Sequence, residues 1–195
     1  MKTASSTHGP SWDRLYATAG VQAGCFTTRQ AGAAGYSPQL LQKHLRAGRI
    51  ARIRRGIYRL VHFPRGEHEE LVTAWLWSEG AGVFSHQTAL ALHGLSDVLP
   101  AHIDLTLPLA WRARRFRVPE GVVLHHADVA PADRGWFGPV PRTSARRSIE
   151  DCARVGFAPD LLRQAAQQAL RRGLVTRGEL PETEAALRPF GGLDA

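Results

Sequence analysis

TTRQAGAAGYSPQLLQKHLRAGRIARIRRGIYRL, residues 27–60, is the stretch that decides the fold. Thr27 and Gln30 stand three positions apart ahead of Ala31, Ala33 and Ala34. At that spacing a hydroxyl and an amide cap a helix start reciprocally. Gly35 and Tyr36 interrupt this short helix. Ser37 then offers an N-cap, and Pro38 falls on the first helical position, where its missing N–H costs nothing. Laid out at about 100° per residue, the second helix carries Leu41, His44 and Leu45 on one side. Gln39, Gln42, Lys43 and Arg46 share the opposite arc. Amide and cationic side chains are those that bond adenine and guanine edges in the major groove while reaching phosphate, so this arc suits a recognition helix.

Gly48 supplies a C-terminal stop. Ile50, Ile53, Ile57, Tyr58 and Leu60 then give the β-branched and aromatic content of two strands around Arg55-Gly56. The polar positions of this hairpin are Arg49, Arg52, Arg54, Arg55 and Arg59, all cationic, which phosphate contact explains most simply. Helix, turn, helix and basic hairpin make a winged helix-turn-helix. Upstream, Ser11 is placed to cap a first helix in which Trp12, Leu15, Tyr16 and Ala19 recur at helical spacing, with Gly24 as its end. The DNA-contact set that follows is Ser37, Gln39, Gln42, Lys43, Arg46, Arg49, Arg52, Arg54 and Arg55.

Three motifs carry a family resemblance: Thr27-x-x-Gln30-Ala31, then Gly35-Tyr36-Ser37-Pro38-x-x-Leu41, then the run from Arg49-Ile50 to Arg55-Gly56-Ile57-Tyr58. Together they resemble the amino-terminal domain of AbiEi-type antitoxins of type IV toxin–antitoxin systems. Further segments are similar to ones that follow in the same order in that family: Ser85-His86-Gln87-Thr88-Ala89 through His93-Gly94-Leu95, the strand Ile103 to Pro108, and Pro141-Arg142-Thr143-Ser144 with Ile149-Glu150-Asp151. The likeness runs over roughly residues 15–175. It implies a repressor that binds operator DNA, silences its own operon and counteracts a cognate nucleotidyltransferase-type toxin, with direct contact to that toxin left open and self-association on DNA as an option.

Charge bounds the function independently of any family. Residues 1–64 hold 10 Lys and Arg against the single acid Asp13, net +9, whereas residues 65–195 hold 15 Arg against 16 acids, net −1, together the +8 of the chain. Such a split joins a nucleic-acid-binding module to a second module with another task. At 195 residues and 44% hydrophobic content there is material for two cores. The expected class is α+β, an N-terminal winged helix followed by a mixed α/β domain. The divisions read as a flexible tail at 1–10, the winged helix at 11–64, a C-terminal antitoxin domain at 65–180 with its boundary near Pro64-Arg65-Gly66, and a tail at 181–195.

In the second module Glu67, Glu69 and Glu70 favour a helix start, with Leu71, Ala74, Trp75 and Ser78 along one face, Val72 and Leu76 beside it, and Trp75 and Trp77 read as core. Ser85 is placed to cap a helix ending at Gly94. Ile103, Leu105 and Leu107 alternate with Asp104 and Thr106 as a half-buried strand, followed by a strand at Val122 to His125. Between them lies an Arg-rich loop, Arg112, Arg114, Arg115 and Arg117, a solvated connector or a second nucleic-acid contact. Residues 135–141 read as a Gly/Pro turn region, Thr143 as the cap of a helix reaching Val155, and Pro159 as the start of a helix with Leu162, Ala165, Ala166, Ala169 and Leu170 inward.

Chemistry is mostly excluded. Lysine occurs only at Lys2 and Lys43, so the second module has none to complete a carboxylate–lysine nuclease site. Walker, Rossmann, HExxH and GxSxG patterns are lacking, as is the Gly-Ser/Asp-x-Asp signature of a nucleotidyltransferase toxin. His125-His126 point to opposite strand faces and His86 and His93 lie two helical turns apart, so neither pair suits a shared ion. Cys25 and Cys152 read as lone buried hydrophobes of a reducing compartment. The expectation is a cytoplasmic, non-enzymatic DNA-binding antitoxin with no catalytic residues, no metal, no cofactor and no membrane association. The alternative is a winged-helix regulator whose C-terminal domain senses a ligand or dimerises.

Overall fold

The Thr27 hydroxyl accepts from the Gln30 backbone N–H at 3.2 Å while Gln30 Oε1 accepts from the Thr27 N–H at 2.8 Å. The expected capping box is therefore formed, and it starts α2 (Thr28–Ala33). Before it come α1 (Trp12–Gly20), capped by Ser11, and the strand β1 (Cys25–Thr27). After it come α3 (Pro38–Arg46), capped by Ser37 with Pro38 in its first turn, then β2 (Ile50–Arg54) and β3 (Ile57–Leu60). The three strands form an antiparallel sheet in the order β1-β3-β2. This is the winged-helix arrangement, with the turn at Gly56 tied to the start of α2 by the Thr28 N–H on the Gly56 carbonyl at 2.9 Å.

The structure is a computed structural model that describes residues 9–95, 97, 99–115 and 117–195, and it falls into two compact units, Met1–Gly80 and Ala81–Ala195. Most of the expected 1–10 tail lies outside the described residues. Leu15, Ala19, Phe26, Ala31, Ala34, Tyr36, Leu41, Ile50 and Leu60 make the core of the first unit. At the turn between α2 and α3, Gly35 has φ +91°, and a Cβ there would sit 2.8 Å from the Gly9 carbonyl oxygen. Only glycine meets both demands.

Some expectations need correction in this unit. α1 stops at Gly20, and Gly24 instead ends the following turn, its face pressed against Phe63. The helix expected to open the second module, α4 (Glu69–Trp77), packs on β1 and β3, so the first unit extends past the Pro64 boundary to Gly80. Val72, Ala74, Leu76 and Ser78 are buried as expected and Thr73 with them, whereas Leu71, Trp75 and Trp77 are only half-buried, Trp75 bonded through Nε1 to the Gly80 carbonyl at 3.2 Å.

The second unit is built on a mixed five-stranded sheet, order β6-β5-β4-β8-β7. Its strands are β4 (Val83–Phe84), β5 (Ile103–Leu107), β6 (Val122–His126), β7 (Arg134–Phe137) and β8 (Val140–Thr143). β5 runs parallel to β6, and β4 parallel to β8; the other neighbours are antiparallel. Four helices accompany it: α5 (His86–His93), α6 (Ala145–Arg154), α7 (Pro159–Arg171) and α8 (Pro181–Leu187). Leu90, Leu95, Ile149, Cys152, Leu162, Ala166, Leu180, Leu187 and Leu193 form their shared core.

The expected tail at 181–195 is therefore ordered structure. Glu150, 2% exposed, accepts from the N–H groups of Glu182 and Thr183 at 3.1 and 3.0 Å and from the Thr183 hydroxyl at 2.7 Å, capping α8 from a distance. Residues 135–141 form most of a β-hairpin with Gly138 at its turn. Ser144, not Thr143, caps α6. β5 is buried on both faces: Asp104 and Thr106, read as its solvent side, are each 2% exposed. The alternation was real, but both faces of the strand are covered.

Candidate nucleic-acid interface

α3 exposes an arc of Gln39, Gln42, Lys43 and Arg46, and these four side chains line one open concavity. The other side of the helix anchors it. Leu41 is buried in the core, and the His44 ring stacks on Trp12 with centroids 5.8 Å apart and meets Tyr36 edge-on at 5.5 Å. Burial, then the nearby charges of Arg49 and Lys43, hold the His44 imidazole below its ordinary pKa, so it behaves as a neutral packing residue. Ser37 is exposed, yet its hydroxyl is engaged in accepting from the Leu40 N–H at 3.2 Å. That bond positions the first turn of α3, whose free N–H groups suit a phosphate.

On the hairpin, Arg52 and Arg54 of β2 and Arg55 at the turn are exposed, as is Arg49 in the turn that leads out of α3. A bulge between Arg52 and Arg54 interrupts the pairing, and Arg52 Nε reaches the Arg54 carbonyl at 3.4 Å. Among the described residues none of Lys43, Arg46, Arg49, Arg52, Arg54 and Arg55 has an ion-pair partner. Arg59 departs from the all-cationic wing. It is 7% exposed, and its guanidinium is turned inward to Glu69 of α4 at 3.1 Å and to the Leu60 and Phe63 carbonyls. β3 lies between β1 and β2, under α4, so Arg59 is a structural ion pair rather than a phosphate contact.

The Arg112, Arg114, Arg115 and Arg117 side chains are all exposed in the second unit, with the Arg114 guanidinium 3.9 Å above the Trp111 ring.

The second unit also gathers a polar cluster that spacing along the chain did not reveal. Parallel pairing sets Thr106 opposite His125, which brings Asp104, two residues back on the same face, within 2.9 Å of His125 Nε2. His102 Nε2 reaches the same Asp104 oxygen at 3.2 Å. His86 lies over His125 with ring centroids 3.6 Å apart. Its Nδ1 meets the Ser85 hydroxyl at 2.9 Å, which explains why Ser85, at the cap position of α5, makes no cap hydrogen bond. Burial, then His125, pull the His86 pKa down to about 4. The rings that come together are those of His86 and His125, from different elements. No local pattern in the sequence announces a contact between a helix start and a strand so far apart along the chain.

Residues 13–61 match the family profile described as a transcriptional regulator, AbiEi antitoxin. The match covers the winged helix, and the segments of resemblance that continue to about residue 175 lie outside it. Among solved structures the chain is similar to the crystal structure of the RV2827C protein from Mycobacterium tuberculosis, with a TM-score of 0.53 and 17% identity over 94% of this chain and 73% of that one. That likeness concerns the fold. No curated protein matches the chain. No helix among the described residues is long and apolar enough to cross a membrane.

Proposed function

We propose, from the match of residues 13–61 to a transcriptional-regulator, AbiEi antitoxin family, that the protein binds operator DNA through α3 and the wing, represses its own operon and counteracts a cognate nucleotidyltransferase-type toxin. The observation that carries the DNA part is the set of cations on α3 and the hairpin that face outward without carboxylate partners, beside two exposed amides on the same helix. Keeping like charges together and unpaired disfavours the free protein slightly and is offset when phosphates take the place of the missing partners. Gln39 and Gln42 read base edges; Lys43 and Arg46 flank them; Ser37 and Arg49 bracket the helix; Arg52, Arg54 and Arg55 hold the backbone of the duplex.

The test uses the full chain on its own promoter DNA and on random DNA. Replacing Arg52, Arg54 and Arg55 with alanine should weaken both and flatten the dependence of log K on log salt by up to about three units, near one for each phosphate no longer neutralised. An unchanged slope removes the wing from the interface. Gln39→Ala with Gln42→Ala should erode the preference for the operator by roughly 1 to 3 kcal/mol for each amide that bonds a base edge in bidentate fashion. The antitoxin part is tested by co-expression with the neighbouring gene: wild-type protein should restore growth, and a failure to do so alongside intact operator binding would make the protein a regulator whose second unit senses a ligand or dimerises.

A further inference from the structure

We propose that His86, Asp104 and His125 bind one divalent transition-metal ion of the Zn2+ class, with water in the fourth position. One ligand atom from each residue falls within 4.8 Å of the other two. In a tetrahedral site with bonds of about 2.0–2.1 Å, ligand atoms stand about 3.3 Å apart. His125 Nε2 and Asp104 Oδ1, at 2.9 Å, need to open by only a few tenths of an ångström for an ion to replace the proton they share.

Further observations fit this reading. Asp104 Oδ2 is buried and has no hydrogen-bond partner among the described residues, so the carboxylate carries charge that no protein donor offsets on that side and that a cation on Oδ1 would balance. His86 holds φ +49°, a conformation a β-carbon disfavours, and in it the ring lies against His125 with Nδ1 fixed by Ser85, leaving Nε2 as the free ligand atom. Ser85 in turn accepts from the Thr106 hydroxyl at 2.7 Å, and the Asp104 N–H donates to the Thr88 hydroxyl at 2.8 Å, so hydrogen bonds from neighbouring side chains hold two of the three ligands in place. Arg147 and Arg154 lie close enough to repel a cation, but Asp151 takes both, at 2.8 and 2.7 Å. The His125 side chain is 23% exposed against 3% for Asp104, which leaves a path for the ion on the histidine side. Two imidazoles and one carboxylate suit Zn2+, Co2+ or Ni2+, whereas Mg2+ and Ca2+ prefer about six or more oxygens.

The test is calorimetric titration of chelator-treated full-length protein with Zn2+ and, separately, with Mg2+. One Zn2+ per chain and no Mg2+ binding is the expected result. Asp104→Asn and His125→Gln should each weaken Zn2+ binding by at least about tenfold, while His126→Gln should leave it unchanged. Absence of stoichiometric Zn2+ binding, or equal binding by Asp104→Asn, overturns the proposal. Should either variant fail to fold, the ring nitrogens of the wild-type histidines decide by NMR: Zn2+ should shift those of His86 and His125, and a shift confined to other histidines overturns the assignment. None of these outcomes bears on DNA binding.

Discussion

The face of α3 and the wing in the first unit and the helices of the second treat cations differently. On the outer side of the winged helix, Lys43, Arg46, Arg49, Arg52, Arg54 and Arg55 stand exposed with no ion-pair partner among the described residues. On the helices of the second unit, most arginines have a carboxylate: Arg146 with Asp133, Arg147 and Arg154 with Asp151, Arg163 with Asp160, Arg177 with Glu184 and Asp194. A cation that has found its carboxylate serves the fold; one left without is available to a partner. The number of arginines does not distinguish the two roles. Their pairing does, and substitutions in either unit test whether it does so consistently.

The largest stability effect should come from Glu150, a charge buried as deeply as any described in the second unit. Glu150→Ala would leave the Glu182 and Thr183 N–H groups and the Thr183 hydroxyl without their acceptor, a loss of about 3 kcal/mol. Urea denaturation followed by circular dichroism measures it. The salt slope of DNA binding should not change, and a loss below about 1 kcal/mol would show α8 to be held by its apolar contacts alone.

Within the first unit the same contrast appears between two arginines of one hairpin. Arg59→Ala strands Glu69 at the edge of α4 and removes two carbonyl partners, which should cost about 2 kcal/mol. Arg54→Ala, on the exposed strand, should stay within about 0.5 kcal/mol yet weaken DNA binding. Equal stability losses would place the two side chains in the same role and undo the division drawn from pairing.

How far the sequence reached follows from the range of its signals. The capping box, the Ser37-Pro38 start and the outward arc of α3 depend on residues three or four apart, and all stand as read. The three-residue β1 is too short to show a period and gains its identity only by pairing with β3. Arg59 looks like its wing neighbours until α4 folds over it. Asp104 looks like the wet side of an alternating strand until His102 and His125 close on it. Ser85 and Thr143 were plausible caps, and tertiary partners or a better-placed Ser144 displaced them. Each of these depends on a contact that no short stretch of sequence contains.

Acid should reveal buried neutral histidines of the second unit. His86 has its pKa drawn from 6.5 to about 4, and His93 is lowered by burial against the pull of its hydrogen bond to the Thr143 carbonyl, with Arg142 and Arg172 adding to the shift. The unfolded chain binds protons below about pH 6.5 that the folded one refuses, so stability rises with pH through this window and falls on acidification. By pH 5.5 the loss from His86 should be on the order of 1 kcal/mol, with His93 adding in the same direction. His93→Gln should flatten the pH dependence in part, and an unaltered profile would show that His93 does not contribute.

The smallest stability effect should come from removing the most charge. Changing Lys43, Arg46, Arg52, Arg54 and Arg55 together to alanine takes away five exposed cations that have no ion-pair partner among the described residues. No carboxylate is stranded and no buried donor is removed, so midpoints in urea should move by less than about 0.5 kcal/mol. The sign should be favourable or nil, because these like charges repel one another across the same small unit. Salt separates this from mere indifference: raising ionic strength from about 0.05 to 0.5 M screens such repulsion, so it should stabilise the wild-type protein more than the stripped one. A stripped protein that is destabilised and loses none of its salt response would mean that these cations have partners within the chain, and the face read as open to phosphate would belong to the fold after all.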